Sequence, residues 1–169
     1  MRIISAVVTI FTLINQALAG FEYKVSEDAL DPKKKFSYAI TPSNEQFQQS
    51  GQPVQAWLVV MCSDTYAGDG SARKFKQLGA HLQFSERVAI ADRMIRWRID
   101  ENKVVQKKER FWNDGKTFYL MGPGTSEVVP QLRKAKAMKV EADLPWAGKV
   151  ILTFDATGAS EAFAKIPCR

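Results

Sequence analysis

Two cysteines, one histidine and a cluster of arginines and lysines are the residues in this chain with chemistry to offer. Cys62 and Cys168 are its only sulfhydryls. A thiolate nucleophile needs a base beside it. The sole histidine, His81, stands at no spacing that ties it to either cysteine. A disulfide needs only an oxidising compartment, and two cysteines allow a single intramolecular pairing. That bridge would close a loop of about 100 residues, a constraint of about 4–5 kcal/mol in the chain-entropy model. The disulfide is the expectation; the catalytic thiol is its competitor.

Other constellations are weaker. Asp64 and Asp69 sit in the Ser- and Gly-rich segment Ser63–Ala72, but without the alternating ligands and distal Glu of a calcium loop. The segment reads as a solvated loop. His81 has no second ligand at metal spacing. Glu27/Asp28 and Glu141/Asp143 are near neighbours in sequence, yet acid–base work needs carboxylates that converge in space. Gly-rich phosphate loops, Gly-x-Ser-x-Gly and Cys–His arrangements are missing. The expectation is therefore no catalytic residues, no metal and no cofactor.

The basic residues are concentrated. The formal net charge is +6, and between Ala91 and Lys139 there are twelve Lys/Arg against six Asp/Glu. Met94 to Asp100 alternates cleanly, with Ile95, Trp97 and Ile99 on one side and Arg96, Arg98 and Asp100 on the other. Glu101-Asn102 is a turn, and Lys103 to Trp112 returns with Lys107, Lys108 and Arg110. Arg133 and Lys134 follow in a later basic segment. Structurally, Arg98 would pair with Asp100 or a neighbouring carboxylate. Functionally, the arginines and returning lysines would form a cationic strip for an anionic partner, at the cost of like charges facing across strands. Both readings stay open, because register is not written in the sequence.

The elements that must position these groups are mostly strands. Residues 1–19 read as a cleaved secretory signal: Arg2, an apolar run from Ile3 to Ile14, and Ala17-Leu18-Ala19 before Gly20. The run is too short for a spanning helix of about 20 residues, and no later segment would span. Residues 20–169 make a single domain by length, periplasmic or secreted. Phe21 and Tyr23, then Phe36 to Ile40, alternate as strands, and Thr41 to Pro53 is polar and reads as a surface connection. Val54 to Cys62 is apolar enough for burial on both faces. Ala80, Leu82 and Phe84 form a core row, which leaves His81 and Gln83 outward. Asn113-Asp114-Gly115 turns into the strand Thr117–Met121.

The stretch from Phe118 to Phe154 organises the rest. After a Gly-Pro-Gly turn, Val128, Leu132 and Ala135 recur at helical spacing. Thr125 or Ser126 would cap that helix, and Arg133, Lys134 and Lys136 would sit in its last turn, where cations suit the dipole. Pro130 restricts the helix to a short one. Met138, Val140 and Ala142 then alternate as a strand, and Val150, Leu152 and Phe154 do so again after Pro145-Trp146-Ala147-Gly148. Ala159, Ala162, Phe163 and Ile166 have near-helical spacing and would bring Cys168 to its partner. The fold expected is mainly β, an antiparallel sandwich of about seven or eight short strands with one or two short helices and one disulfide.

Five features occur in order: Leu58-Val59-Val60-Met61-Cys62, Arg98-Ile99-Asp100 with Trp112 downstream, Gln131-Leu132-Arg133-Lys134-Ala135-Lys136, Phe154-Asp155-Ala156-Thr157-Gly158, and Cys168. Over about residues 54–168 this pattern resembles exported proteins of the VasI/TagO accessory family of type VI secretion, and related exported bacterial β-sandwich proteins. The resemblance implies a small β-sandwich without catalytic activity. Together the readings point to an exported, non-enzymatic accessory or binding protein of the bacterial envelope, meeting a protein or an anionic envelope component. A periplasmic inhibitor or immunity protein acting on a hydrolase has the same fold requirements; an enzyme of unrecognised type is a third reading. Export and the lack of an aromatic-basic recognition motif argue against nucleic acid. The sequence leaves oligomeric state open.

Overall fold

The computed structural model describes residues 20–27, 31, 33, 35–66, 74–88, 94–108, 115–120, 128–144 and 148–168. Among them are strands β1 (Glu22–Glu27), β2 (Lys35–Gln49), β3 (Gln52–Tyr66), β4 (Lys74–Phe84), β5 (Met94–Ile99), β6 (Val105–Lys108), β7 (Thr117–Tyr119), β8 (Ala137–Leu144) and β9 (Gly148–Asp155). Two short helices, α1 (Val128–Leu132) and α2 (Ala159–Ala164), complete the set. Every pairing is antiparallel, in the order β6-β5-β8-β9-β2-β3-β4-β7, with β1 added to β2. The mainly-β architecture, the two helices and the disulfide are as the sequence leads one to expect. The sheet has nine strands, and its two layers are halves of one curled sheet.

Alternation explains the core. Ile95, Trp97 and Ile99 on β5, Met138, Val140 and Ala142 on β8, and Leu152 and Phe154 on β9 are buried from one half. Val54, Ala56, Leu58 and Val60 on β3 and Ala80, Leu82 and Phe84 on β4 are buried from the other. All belong to one apolar cluster. A period of two puts such residues on one face of each strand, and curling the sheet brings the two apolar faces together.

The polar segment Thr41 to Pro53 is not a surface connection. β2 runs on to Gln49, and only Ser50 and Gly51, with φ of 52° and 78°, turn the chain into β3. Thr41, Ser43 and Phe47 are buried. The strand tolerates these polar residues because neighbours satisfy them: the Gln55 side-chain amide donates to the carbonyl and hydroxyl of Ser43 at 3.0 and 2.9 Å. The register shifts between Pro42 and Gln46. Pro42 has no N–H to offer a ladder, and just past it Ser43 pairs with Phe154 of β9. Here the sheet passes from one half to the other.

Two further expectations are corrected. His81 is not a surface residue: it is 7% exposed. It sits in a cross-strand row between Val59 and Tyr119, its ring 5.3 Å from the tyrosine ring. Val59 beside it is 7% exposed as well, so on this row facing away from the core is not the same as facing water. Helix α1 also ends sooner than its apolar spacing implies. It packs against β4 with Val128, Val129 and Leu132 buried. Arg133 and Lys134 therefore lie in the turn after it, with Lys134 N–H bonded to the Gln131 carbonyl at 3.0 Å, and the dipole argument does not apply. Likewise β3 extends through Asp64 to Tyr66, so the first four residues of the loop expected at Ser63–Ala72 are strand, and residues 67–72 lie outside the described residues.

α2 forms as its spacing predicts, with Ala159, Ala162 and Phe163 buried. Cys168 reaches Cys62, the Cα atoms 5.3 Å apart across a sequence separation of 106. No helix among the described residues is long and apolar enough to cross a membrane. The leader at 1–19, the Gly-Pro-Gly turn, Thr125, Ser126, Asp69, Arg110, Trp112, Asn113, Asp114 and Pro145 to Ala147 lie outside the described residues.

Candidate functional site

Strand alternation places Arg96 and Arg98 on the outer face of β5, and the register decides what each meets. Arg96 is the cross-strand partner of Glu141 on β8, and its Nη1 donates to Glu141 Oε1 at 3.0 Å. Arg98 is the cross-strand partner of Lys139. Its nearest acid is Glu101, 3.7 Å away on a side chain that is 93% exposed. An exposed pair of that kind is worth about 0–1 kcal/mol. Like charges across a strand pair oppose folding, and Lys139 has no ion pair among the described residues. The structural and functional readings of the strip therefore divide: Arg96 is satisfied by a carboxylate, and Arg98 with Lys139 is a cationic pair open to solvent.

The other predicted residues fall in different places. Lys107 is the register partner of core-facing Ile95, whereas Lys108 is opposite Met94 and Gln106 is opposite Arg96. A two-residue period allows only every second residue of β6 to share the arginines' face. Arg133 and Lys134 lie at the far end of β8 from Glu141, where the chain enters the strand.

Three hollows connect these groups. A small one of about 130 Å³ is bounded by Arg96, Arg98, Lys139 and Glu141, with exposed Val104 and Ile151 at its sides. A second, about 390 Å³, lies between Arg98, Lys139 and Lys136. The largest, about 750 Å³, runs along the 133–137 segment to the start of α2. Lys136 and Ala137 border both of the larger hollows, so the cationic surface continues around the start of β8.

Sequence reasoning missed the residue that shapes this corner. Asp100 does not pair with Arg98. With φ 47°, it turns its carboxylate onto the backbone of the 133–137 segment. Its Oδ1 accepts from the N–H groups of Lys136 and Ala137 at 3.0 and 2.9 Å, and its own N–H donates to the Ala137 carbonyl at 3.0 Å. Asp tolerates the left-handed region better than most side chains, so an Asp between an alternating strand and a turn was the available signal. Asp100→Ala should cost about 1–3 kcal/mol, because it leaves two amide donors without their acceptor. Asp100→Asn retains an acceptor and should lose less. Urea denaturation of the two variants checks the order; equal stability of Asp100→Ala and the parent would contradict it.

The disulfide removes both thiols from chemistry, so the nucleophile reading has no sulfhydryl left. Among the described residues no group of His, Cys, Asp and Glu is arranged to hold a metal.

No protein-family model and no curated protein matches the chain. Among solved structures it is similar to the crystal structure of invasion associated protein B from Bartonella henselae, at 16% sequence identity and a TM-score of 0.50, over 87% of this chain and 91% of that one. At this identity the likeness is one of fold.

Proposed function

We propose that the chain is an exported, non-enzymatic binding protein of the bacterial envelope whose cationic face receives an anionic component or an acidic protein surface. The observation that carries the reading is the juxtaposition of Arg98 and Lys139 on adjacent strands with only a highly exposed Glu101 in reach. A fold gains nothing from holding two like charges together, and an anionic partner would turn that cost into attraction. The leader-like composition of residues 1–19, with Ala17-Leu18-Ala19 as a signal-type cleavage site, supports a periplasmic or secreted location. The narrower role, an accessory of type VI secretion, rests on the resemblance of the residue pattern alone.

The test uses residues 20–169 and long-chain inorganic polyphosphate as the probe. Binding should weaken with salt, since exposed charges are screened within about 8–10 Å at physiological ionic strength. Reversing both charges, Arg98→Glu with Lys139→Glu, should reduce affinity by at least about tenfold, about 1.4 kcal/mol. An unchanged affinity would remove this face from the account.

A further inference from the structure

We propose that the 750 Å³ cleft beside α2 takes an acidic saccharide: a sugar oligomer carrying carboxylate or phosphate groups. The inference rests on the anion-binding reading above and narrows its partner to a chemical class.

The cations of the cleft are unpaired. Arg133, Lys134 and Lys136 line it, and none of the four ion pairs among the described residues uses them. Its two acids, Asp155 and Glu161, offset part of that charge and remain acceptors for ligand hydroxyls, Asp155 Oδ1 also accepting the Thr157 N–H at 2.8 Å. Three neutral polar side chains, Asn44, Thr157 and Ser160, line the same cleft and form no hydrogen bond with the protein among the described residues. Unpaired cations, free hydroxyls and a free amide together match a ligand bearing both anionic groups and hydroxyls. The remaining lining is alanine and glycine apart from Thr153. The apolar part of the lining is alanine methyls with no large side chain among them, so a bulky apolar group would find only shallow contacts there.

The walls are also held in place before any ligand arrives. The Arg133 guanidinium lies 5.6 Å from the centre of the buried Phe163 ring, an attraction that fixes its direction. Asp100 clamps the backbone at Lys136 and Ala137. On the opposite wall the Thr157 carbonyl accepts the Phe21 N–H at 2.7 Å. A Cβ at Gly20 would stand 2.1 Å from that carbonyl oxygen, so the close approach requires glycine. Preorganised walls reduce the ordering cost of binding.

Calorimetric titration of residues 20–169 tests the inference with four probes: trigalacturonate, its methyl ester, a mannose-6-phosphate-bearing oligomannose, and hexaglutamate. One or both acidic sugars should bind, which distinguishes carboxylate from phosphate, and the ester and peptide should bind at least about tenfold more weakly. Lys134→Gln with Lys136→Gln should lower sugar affinity about tenfold. Asn44→Ala with Ser160→Ala should weaken sugar binding several-fold and leave polyphosphate binding unchanged. Circular dichroism confirms that each exposed double variant folds. Binding of polyphosphate with no binding of either acidic sugar overturns the saccharide and leaves the anion-binding face standing. Equal affinity for hexaglutamate overturns it in favour of an acidic peptide. An Asn44/Ser160 variant that binds sugar as the parent does overturns the site. A parent protein that binds neither the acidic sugars nor polyphosphate would remove the broader reading too.

Discussion

Replacing Cys62 and Cys168 together with serine should lower the unfolding free energy by about 2–5 kcal/mol. Domains are stable by only about 5–15 kcal/mol, so this is a large fraction. The mechanism acts mostly on the unfolded chain. The folded tail has other attachments: Ala159, Ala162 and Phe163 are buried, and Ile166 is 6% exposed. What serine removes is the covalent closure of residues 106 apart, and the unfolded ensemble expands accordingly. Two urea titrations are decisive. The double serine variant should unfold at lower denaturant than the oxidised parent, and the parent reduced with dithiothreitol should coincide with the variant. Indistinguishable midpoints for oxidised and reduced protein would show that the bridge contributes nothing.

Phe163→Ala should cost about 3–5 kcal/mol, the range for truncating a buried aromatic. Phe163 is 1% exposed, and its ring meets Phe21 edge-on with centroids 4.9 Å apart. The substitution leaves a void between α2 and the chain just before β1. It also removes the surface under the Arg133 guanidinium, so a second effect should appear in binding. Phe163→Leu separates the two, because it restores part of the apolar volume without the π face that attracts a cation. The leucine variant should be more stable than the alanine variant, yet bind acidic sugars more weakly than the parent. A leucine variant with parental affinity would show that Arg133 needs no aromatic beneath it. An alanine variant losing less than about 1 kcal/mol would show that the void collapses easily.

How much of this was legible in the sequence varies by element. β5, β8, β9 and α2 could be read because their apolar residues repeat at one period and meet one core. Cys62 and Cys168 could be paired because two cysteines leave a single choice. β2 beyond Ile40 could not be read: Thr41, Ser43, Gln46 and Gln49 look like a loop until Gln55 and β3 are beside them. His81 failed for a related reason, since its cover comes from Val59 and Tyr119 on neighbouring strands. The candidate site was half legible. Alternation put Arg96 and Arg98 on one face, but only the register showed that one meets Glu141 and the other Lys139. Asp100 was invisible in its role because its partners lie at residues 136 and 137. Local pattern reports which way a side chain points; it does not report which distant backbone it will find.

β2 pairs with β3 along most of its length, and at Ser43 it also pairs with β9, where the Glu45 carboxylate accepts the Thr153 N–H. Among the described residues that one register pair joins the two halves, and β6 and β7 end the strand order without pairing to each other. Because a single strand serves both halves, a slip in its register would be felt on both walls of the core at once.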